Sequence, residues 1–465
     1  MKVWQFLMVT VTVAVTAAAA PARAQDAGAR ERMKELERRQ EQLADELQRL
    51  RQSLEQQKTE KKVEEVERRQ GILTDELRRL REAVVLPETR ELKSAYGLGP
   101  AASKVYGLER GLSIGGYGEA NFKNVVSDRG STRDEFDFLR LVLYAGYKFN
   151  DWIVFNSETE FEHASTGKKG EVSVEFANLD FLFHPMANLR AGLLLVPMGF
   201  INEIHEPPFF HGNVRPQVEQ QVLPSTWRAN GIGLFGELLP GLQYRTYGVT
   251  SLDAKKFRSG GIRSARQSGS GELADDFSWV GRLDYTLLPG ASIGASAYLG
   301  EQGQNQDFGG VKADVFTQIY EAHAQVRARG LELRGLGALV HVGDAEVLSN
   351  DKTINPRAGD PSKLDQPVAE VMLGYYGEIA YDVLPLLMPD TAHYLAPWYR
   401  YSRFDTQNSV PDGFRADNTQ DRNIHEVGIT YKPIPQVALK LDYRVQDAKT
   451  GELPDEIRVG GGFVF

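Results

Sequence analysis

The chain has 465 residues, a formal net charge of −9, a quarter of its residues charged and no cysteine. Without cysteine there can be no disulfide framework, thiolate metal site or cysteine nucleophile. The modest negative charge also argues against nucleic acid as a partner, since that requires basic patches. After residue 24 no apolar run reaches the roughly 18 residues of a membrane-spanning helix, while glycine and aromatic residues are abundant and apolar residues alternate with polar ones.

The first predicted element is a signal peptide, residues 1–24. Lys2 supplies the positive start, Val3 to Ala20 the apolar stretch, and Ala22-Arg23-Ala24 a small-residue cleavage site. A retained N-terminal anchor is the alternative. Export places the rest of the chain outside the cytoplasm.

Residues 29–85 change character, being rich in Glu, Arg, Gln, Lys and Leu. Met33, Leu36, Gln40, Leu43, Leu47, Leu50 and Leu54 recur at spacings of three and four, the a/d seam of a coiled coil. The block Leu36-Glu37-Arg38-Arg39-Gln40 returns as Val66-Glu67-Arg68-Arg69-Gln70, thirty residues later. Thirty is not a multiple of seven, so the seam must shift phase, and a break is expected at 56–62. The reading is an α-helical coiled coil in the periplasm, shaped as a long rod. A solvated single helix is the alternative. Residues 86–111, with Gly, Pro and Ser, read as a linker.

From Leu112 the period becomes two. Alternation and turn residues place sixteen strands between 112 and 465. Their connections alternate between short (Asn150-Asp151, Pro240-Gly241, Pro289-Gly290, Arg329-Gly330) and long, among them 199–228, 252–275 and 405–423. An all-β, up-and-down antiparallel transmembrane barrel of about sixteen strands has this asymmetry. Leu139, Leu141, Leu143, Ala145, Tyr147 and Phe149 form an outward apolar row against inward Arg140, Tyr144 and Lys148. Val437, Leu439, Leu441, Tyr443 and Val445 form another, against Lys440, Asp442, Arg444 and Gln446. A soluble β-sandwich is the rival fold.

The chain closes on Ile457-Arg458-Val459-Gly460-Gly461-Gly462-Phe463-Val464-Phe465. This resembles the closing strand of Gram-negative outer-membrane barrels, whose assembly machinery recognises a terminal aromatic residue. Over 112–465 the strand and turn rhythm resembles trimeric sixteen-stranded porins, and within them the phosphate-selective porin O/P-like group; the N-terminal coiled coil is similar to periplasmic extensions of some porins. The resemblance implies a passive diffusion channel, a homotrimer, and contact with outer-membrane lipid and lipopolysaccharide.

The resemblance also implies that the third long loop folds into the lumen and narrows it. Its candidate constriction residues are Glu203, His205, Glu206, His211, Arg215 and Arg228. Candidate pore-wall cations are Arg140, Lys148, Arg245, Arg282, Arg327, Arg400, Lys440 and Arg444. Inward acids (Glu158, Glu160, Asp180, Asp284, Glu321, Glu378, Asp442 among them) are about as many, so no dominant ladder of cations stands out. Lys255 to Arg258 and Arg263 to Arg266 read as a basic external loop meeting water or lipopolysaccharide.

His205-Glu206 and His211 do not have the helical H-E-x-x-H spacing of a zinc site, and no G-x-S-x-G elbow or recognisable triad occurs. No enzyme, metal or cofactor is expected. The functional expectation is an outer-membrane porin for small hydrophilic solutes, with phosphate-like anions as one candidate class. The alternative is a plugged barrel that tethers the outer membrane to peptidoglycan through its coiled coil.

Overall fold

The computed structural model describes residues 34–35, 38–46, 48, 69, 71–72, 93–126, 133–168, 170–358 and 366–465. The chain divides into two units, 1–91 and 92–465. The signal-peptide reading, most heptad positions and the expected break at 56–62 lie outside the described residues.

In the first unit the described residues are helical, and almost all are exposed. Arg69 Nη1 lies 3.8 Å from Glu46 Oε1. A continuous helix would hold these two residues roughly 35 Å apart at about 1.5 Å per residue. The contact between Glu46 and Arg69 therefore does not fit the single long rod that the heptads predict.

The second unit begins its sheet with β1 (Gly111–Val125), β2 (Glu135–Lys148), β3 (Ile153–Glu162), β4 (Val172–His184), β5 (Ala187–Leu195) and β6 (Arg228–Leu239). Next come β7 (Leu242–Thr250), β8 (Phe277–Leu288), β9 (Ala291–Gly300), β10 (Thr317–Ala328) and β11 (Leu331–Val342). The last are β12 (Val371–Tyr381), β13 (Tyr394–Ser409), β14 (Asp421–Ile434), β15 (Val437–Ala448) and β16 (Glu456–Val464). Each strand pairs antiparallel with its sequence neighbours, and β1 with β16 closes the ring, Tyr117 facing Val464. Closure leaves no edge of unpaired backbone groups.

The sixteen expected strands are all present. Along β15, Leu439, Leu441 and Tyr443 are exposed while Ala438, Lys440, Asp442 and Arg444 are buried inside. Exposed aromatics gather near the short turns, where Trp152 stacks on Phe183 with ring centroids 5.9 Å apart. Gly241, Gly290 and Gly330 turn the chain there at φ of +83°, +82° and +83°, a region that side chains disfavour.

The expected linker is the main departure in this unit. Its residues Leu98, Ala101, Ala102 and Val105 are buried inside the barrel. They recur at helical spacing, Pro100–Ser103 forms a short helix, and the wall offers glycines to receive it. A Cβ on Gly115 would come within 2.8 Å of the Ala101 carbonyl, and one on Gly146 within 2.8 Å of Val105 Cβ. Only glycine lets the segment approach β1 and β2 this closely. Wall side chains hold its backbone: Asn156 donates to the Ala102 carbonyl at 2.8 Å, Arg190 to Tyr96 at 3.1 Å and Lys148 to Leu108 at 2.6 Å. Tyr106 in turn donates to Asp180 at 2.7 Å.

Candidate functional site

Residues 196–227, between β5 and β6, form the third long loop, and they fold into the lumen. The composition explains why. Val196, Met198, Ile201, Val218, Val222, Leu223 and Trp227 are apolar and would be uncovered outside. Inside, all seven are buried, and six of them share one core with wall residues such as Tyr247, Val280, Tyr298, Met372 and Phe404. Asn202 ties the loop's base, donating to the carbonyls of Val196 (2.6 Å) and Trp227 (2.8 Å). Glu219 braces its middle, accepting from Ile201 N and from Tyr376 Oη, each at 2.7 Å. Burial raises the Glu219 carboxyl above the ordinary carboxylate range.

The loop crosses to the far wall and is pinned there. Arg400 donates to the His211 carbonyl (2.7 Å), Lys440 to Gly212 (2.8 Å), Lys432 to Pro208 (2.6 Å) and Arg334 to Phe209 (3.2 Å). Asn213 gives both its backbone N–H (2.7 Å) and its side-chain amide (2.6 Å) to Asp442. Arg282 donates to the Gly199 carbonyl. Wall cations expected to meet solute thus meet loop carbonyls, whose oxygens carry partial negative charge.

The remaining cations are held by carboxylates. Arg140 pairs with Glu119 and Glu160, each at 2.8 Å, and Arg245 pairs with Asp284 and with Glu203, the latter at 3.3 Å. Arg282 also reaches Asp284 at 2.7 Å, and Arg228, the first residue of β6, pairs with Glu175. Arg327 sits at the short-turn rim with Glu332, and Lys148 serves the Leu108 carbonyl.

A continuous motif links five strands. Glu378, Arg400, Glu426, Arg444 and Glu456 are directly opposite one another across β12 to β16. Successive pairs close at 2.5, 3.1, 2.8 and 3.9 Å. With three glutamates and two arginines on one circumference, the belt carries a net charge of −1. Such a belt fixes register and satisfies buried charge, and it gives no net preference for anions.

The loop's histidines separate. His205 Nε2 lies 3.1 Å from Glu158 on β3, whereas His211 Nδ1 lies 3.0 Å from Thr430 on β14, with its ring stacked on Trp398. Burial lowers the pKa of both imidazoles, with Arg215 adding to the effect at His205. Among the described residues no group of three or more acidic or histidine side chains has metal-binding geometry.

Glu206 and Arg215 differ from the paired groups. Both Glu206 oxygens are buried without a hydrogen bond beside Gly99 of the inserted segment, and burial pushes its carboxyl up to about 7. Arg215 is buried too, with Nε and Nη2 lacking partners. It lines a cavity of about 270 Å³ at the long-loop end, with Arg140, Asn213, Asn121 and Arg458. On the other side of the loop, about 350 Å³ opens between Tyr96, Phe200, Arg245, Arg282 and Arg334.

The basic stretch read as external keeps Lys256 and Arg258 exposed, but its apolar residues and the second group of arginines fold inward. Phe257, Ile262 and Ala265 join the lumenal core, and Arg266 donates to the Pro224 and Thr226 carbonyls. Burial lowers Arg263 to about 9 and Arg266 to about 10. The apolar residues between the charges are what draw the loop in, and they were legible in the sequence.

No protein-family model matches the chain. A protein of Aquifex aeolicus (strain VF5), described as an uncharacterized protein, is 37% identical over 388 residues, covering 82% of this chain and 86% of that one. The chain belongs to the same family as this Aquifex protein. Among solved structures, Salmonella typhi OmpF in complex with daunomycin superposes with a TM-score of 0.51 at 13% identity, over 77% of this chain and 98% of that one. The likeness is one of fold, a closed barrel. An anion-selective porin from Comamonas acidovorans aligns with a TM-score of 0.46 at 13% identity, over 77% of this chain and 100% of that one.

Proposed function

We propose that the chain is an outer-membrane channel through which small hydrophilic solutes diffuse passively, with a narrow, weakly anion-preferring path. The observation that carries this reading is a closed ring of sixteen strands, apolar outside and charged within, crossed by one ordered loop. Short turns then face the periplasm and long loops the exterior. The narrowness is argued from the loop and residues 94–108, which share the lumen. The anion preference is argued from Arg215, which makes no salt bridge among the described residues, whereas most other lumenal cations are spoken for. Phosphate would be one such anion.

Planar-bilayer recording tests the reading. Small stepwise openings are expected, with reversal potentials in a salt gradient shifted modestly toward anions. Absence of steps at any voltage overturns it.

A second reading is a plugged barrel acting as a tether to peptidoglycan, favoured by the inserted segment. It calls for no conductance and for loss of wall association when 29–85 are deleted. In the channel reading that deletion leaves conductance intact. A homotrimer embedded among outer-membrane lipid and lipopolysaccharide completes the proposal. Native electrophoresis in mild detergent reads the trimer.

A further inference from the structure

We propose that residues 94–108 are a withdrawable plug, seated in a glycine-lined groove of the wall, whose exit toward the short turns widens the channel. The inference rests on the channel reading above.

Four observations support it. First, the sheet is closed without these residues: β1 pairs with β2 and β16, so removing the segment breaks no strand ladder. Second, the groove is built for it. Gly115 and Gly146 stand on the inner face, and any side chain there would meet Ala101 or Val105. Third, the polar attachments are few and mostly one-sided. Asn156, Arg190 and Lys148 donate to main-chain carbonyls that water can satisfy equally well after departure. Fourth, seating buries the Glu206 carboxyl against Gly99, where neither oxygen has a partner of good hydrogen-bond geometry. Water would reach Glu206 on withdrawal, which offsets part of the lost contact.

The segment is contiguous in the chain with the N-terminal unit, so a pull applied upstream acts on it along the chain. Permeability then answers to whatever engages that unit.

The test uses the full chain in planar bilayers. Because the natural chain has no cysteine, Val105→Cys with Gly146→Cys supplies the only thiol pair. A Cβ at 146 would lie 2.8 Å from that of residue 105, and a shift of roughly 1 Å brings it into disulfide range. Oxidation should suppress every large opening, and reductant should restore them. Gly146→Phe, which fills the groove, should raise unitary conductance about twofold or more, the lumen of a barrel this size being wide once emptied. Maleimide labelling of Ala102→Cys reports seating independently of current: slow in the otherwise natural chain, fast when Gly146→Phe is added.

Equal labelling with and without Gly146→Phe overturns the plug, as does gating unaffected by the crosslink. Slow labelling that becomes fast only when Gly146→Phe is added, with no current in any variant, leaves the seated segment standing and removes the channel reading.

Discussion

Arg400 of β13 donates to the carbonyl of His211 at 2.7 Å, joining the wall to the tip of a loop that began on the opposite side of the barrel. The same guanidinium holds Glu378 and Glu426 and is fully buried. One side chain therefore fixes both the charge belt and the path of the constriction.

Arg400→Leu is expected to cost about 3–5 kcal/mol of stability, because buried Glu378 loses its partner and Glu426 keeps only Arg444. Arg400→Lys recovers only part, since an ammonium cannot replace a planar fork that serves three acceptors. Denaturant unfolding in detergent micelles reads both values.

Glu206 makes stability depend on pH. Its carboxyl is raised to about 7 in the folded chain against 4.5 ordinarily, so the folded state holds the proton more tightly. Stability is full below about pH 4.5 and declines as pH rises through 7, the gap corresponding to about 3 kcal/mol. Glu206→Gln removes this decline. The variant and the natural chain should unfold alike at pH 4, and the variant should be more stable by about that amount at pH 8.

Arg215→Ala should move the reversal potential toward cations while leaving the fold intact, because Arg215 Nε and Nη2 hold no hydrogen-bond partner that the change would strand. Lys148→Ala should shift it far less, its ammonium being committed to the carbonyl of Leu108. A larger shift from Lys148 than from Arg215 would refute the placement of the path.

Trp227→Ala should cost about 3–5 kcal/mol, the usual penalty for emptying a buried aromatic site. Trp227 is 1% exposed and packs on Tyr298, ring centroids 4.6 Å apart. The loosened core should expose 251–276 to protease before the strands are cut, which limited proteolysis would follow.

The strands were legible because period two and tight turns are local properties. Even the outward rows, such as Leu439, Leu441 and Tyr443, follow from alternation alone. Strand ends were less so: β13 runs to Ser409, five residues past the expected end, since its pairing with β12 continues to Val371 opposite Ser409. The lumen was harder. Lists of inward Arg and Glu cannot tell which face each other until register is known, so Arg400 appeared as a lining cation when it is a braced one. The segment at 94–108 looked like a linker because Gly, Pro and Ser punctuate it, although Leu98, Ala101, Ala102 and Val105 already had a helical stripe. Its complement, the bare inner positions 115 and 146, lies on other strands and becomes visible only when they are brought together.

Gly115 touches both ends of the barrel-forming chain: a Cβ there would lie 2.8 Å from the Ala101 carbonyl and 3.0 Å from that of Phe465. Completion of the ring and docking of the upstream segment are thereby checked at one residue. A side chain at 115 would therefore press on the inserted segment and on the last residue of the closing strand at once, so one substitution there disturbs both.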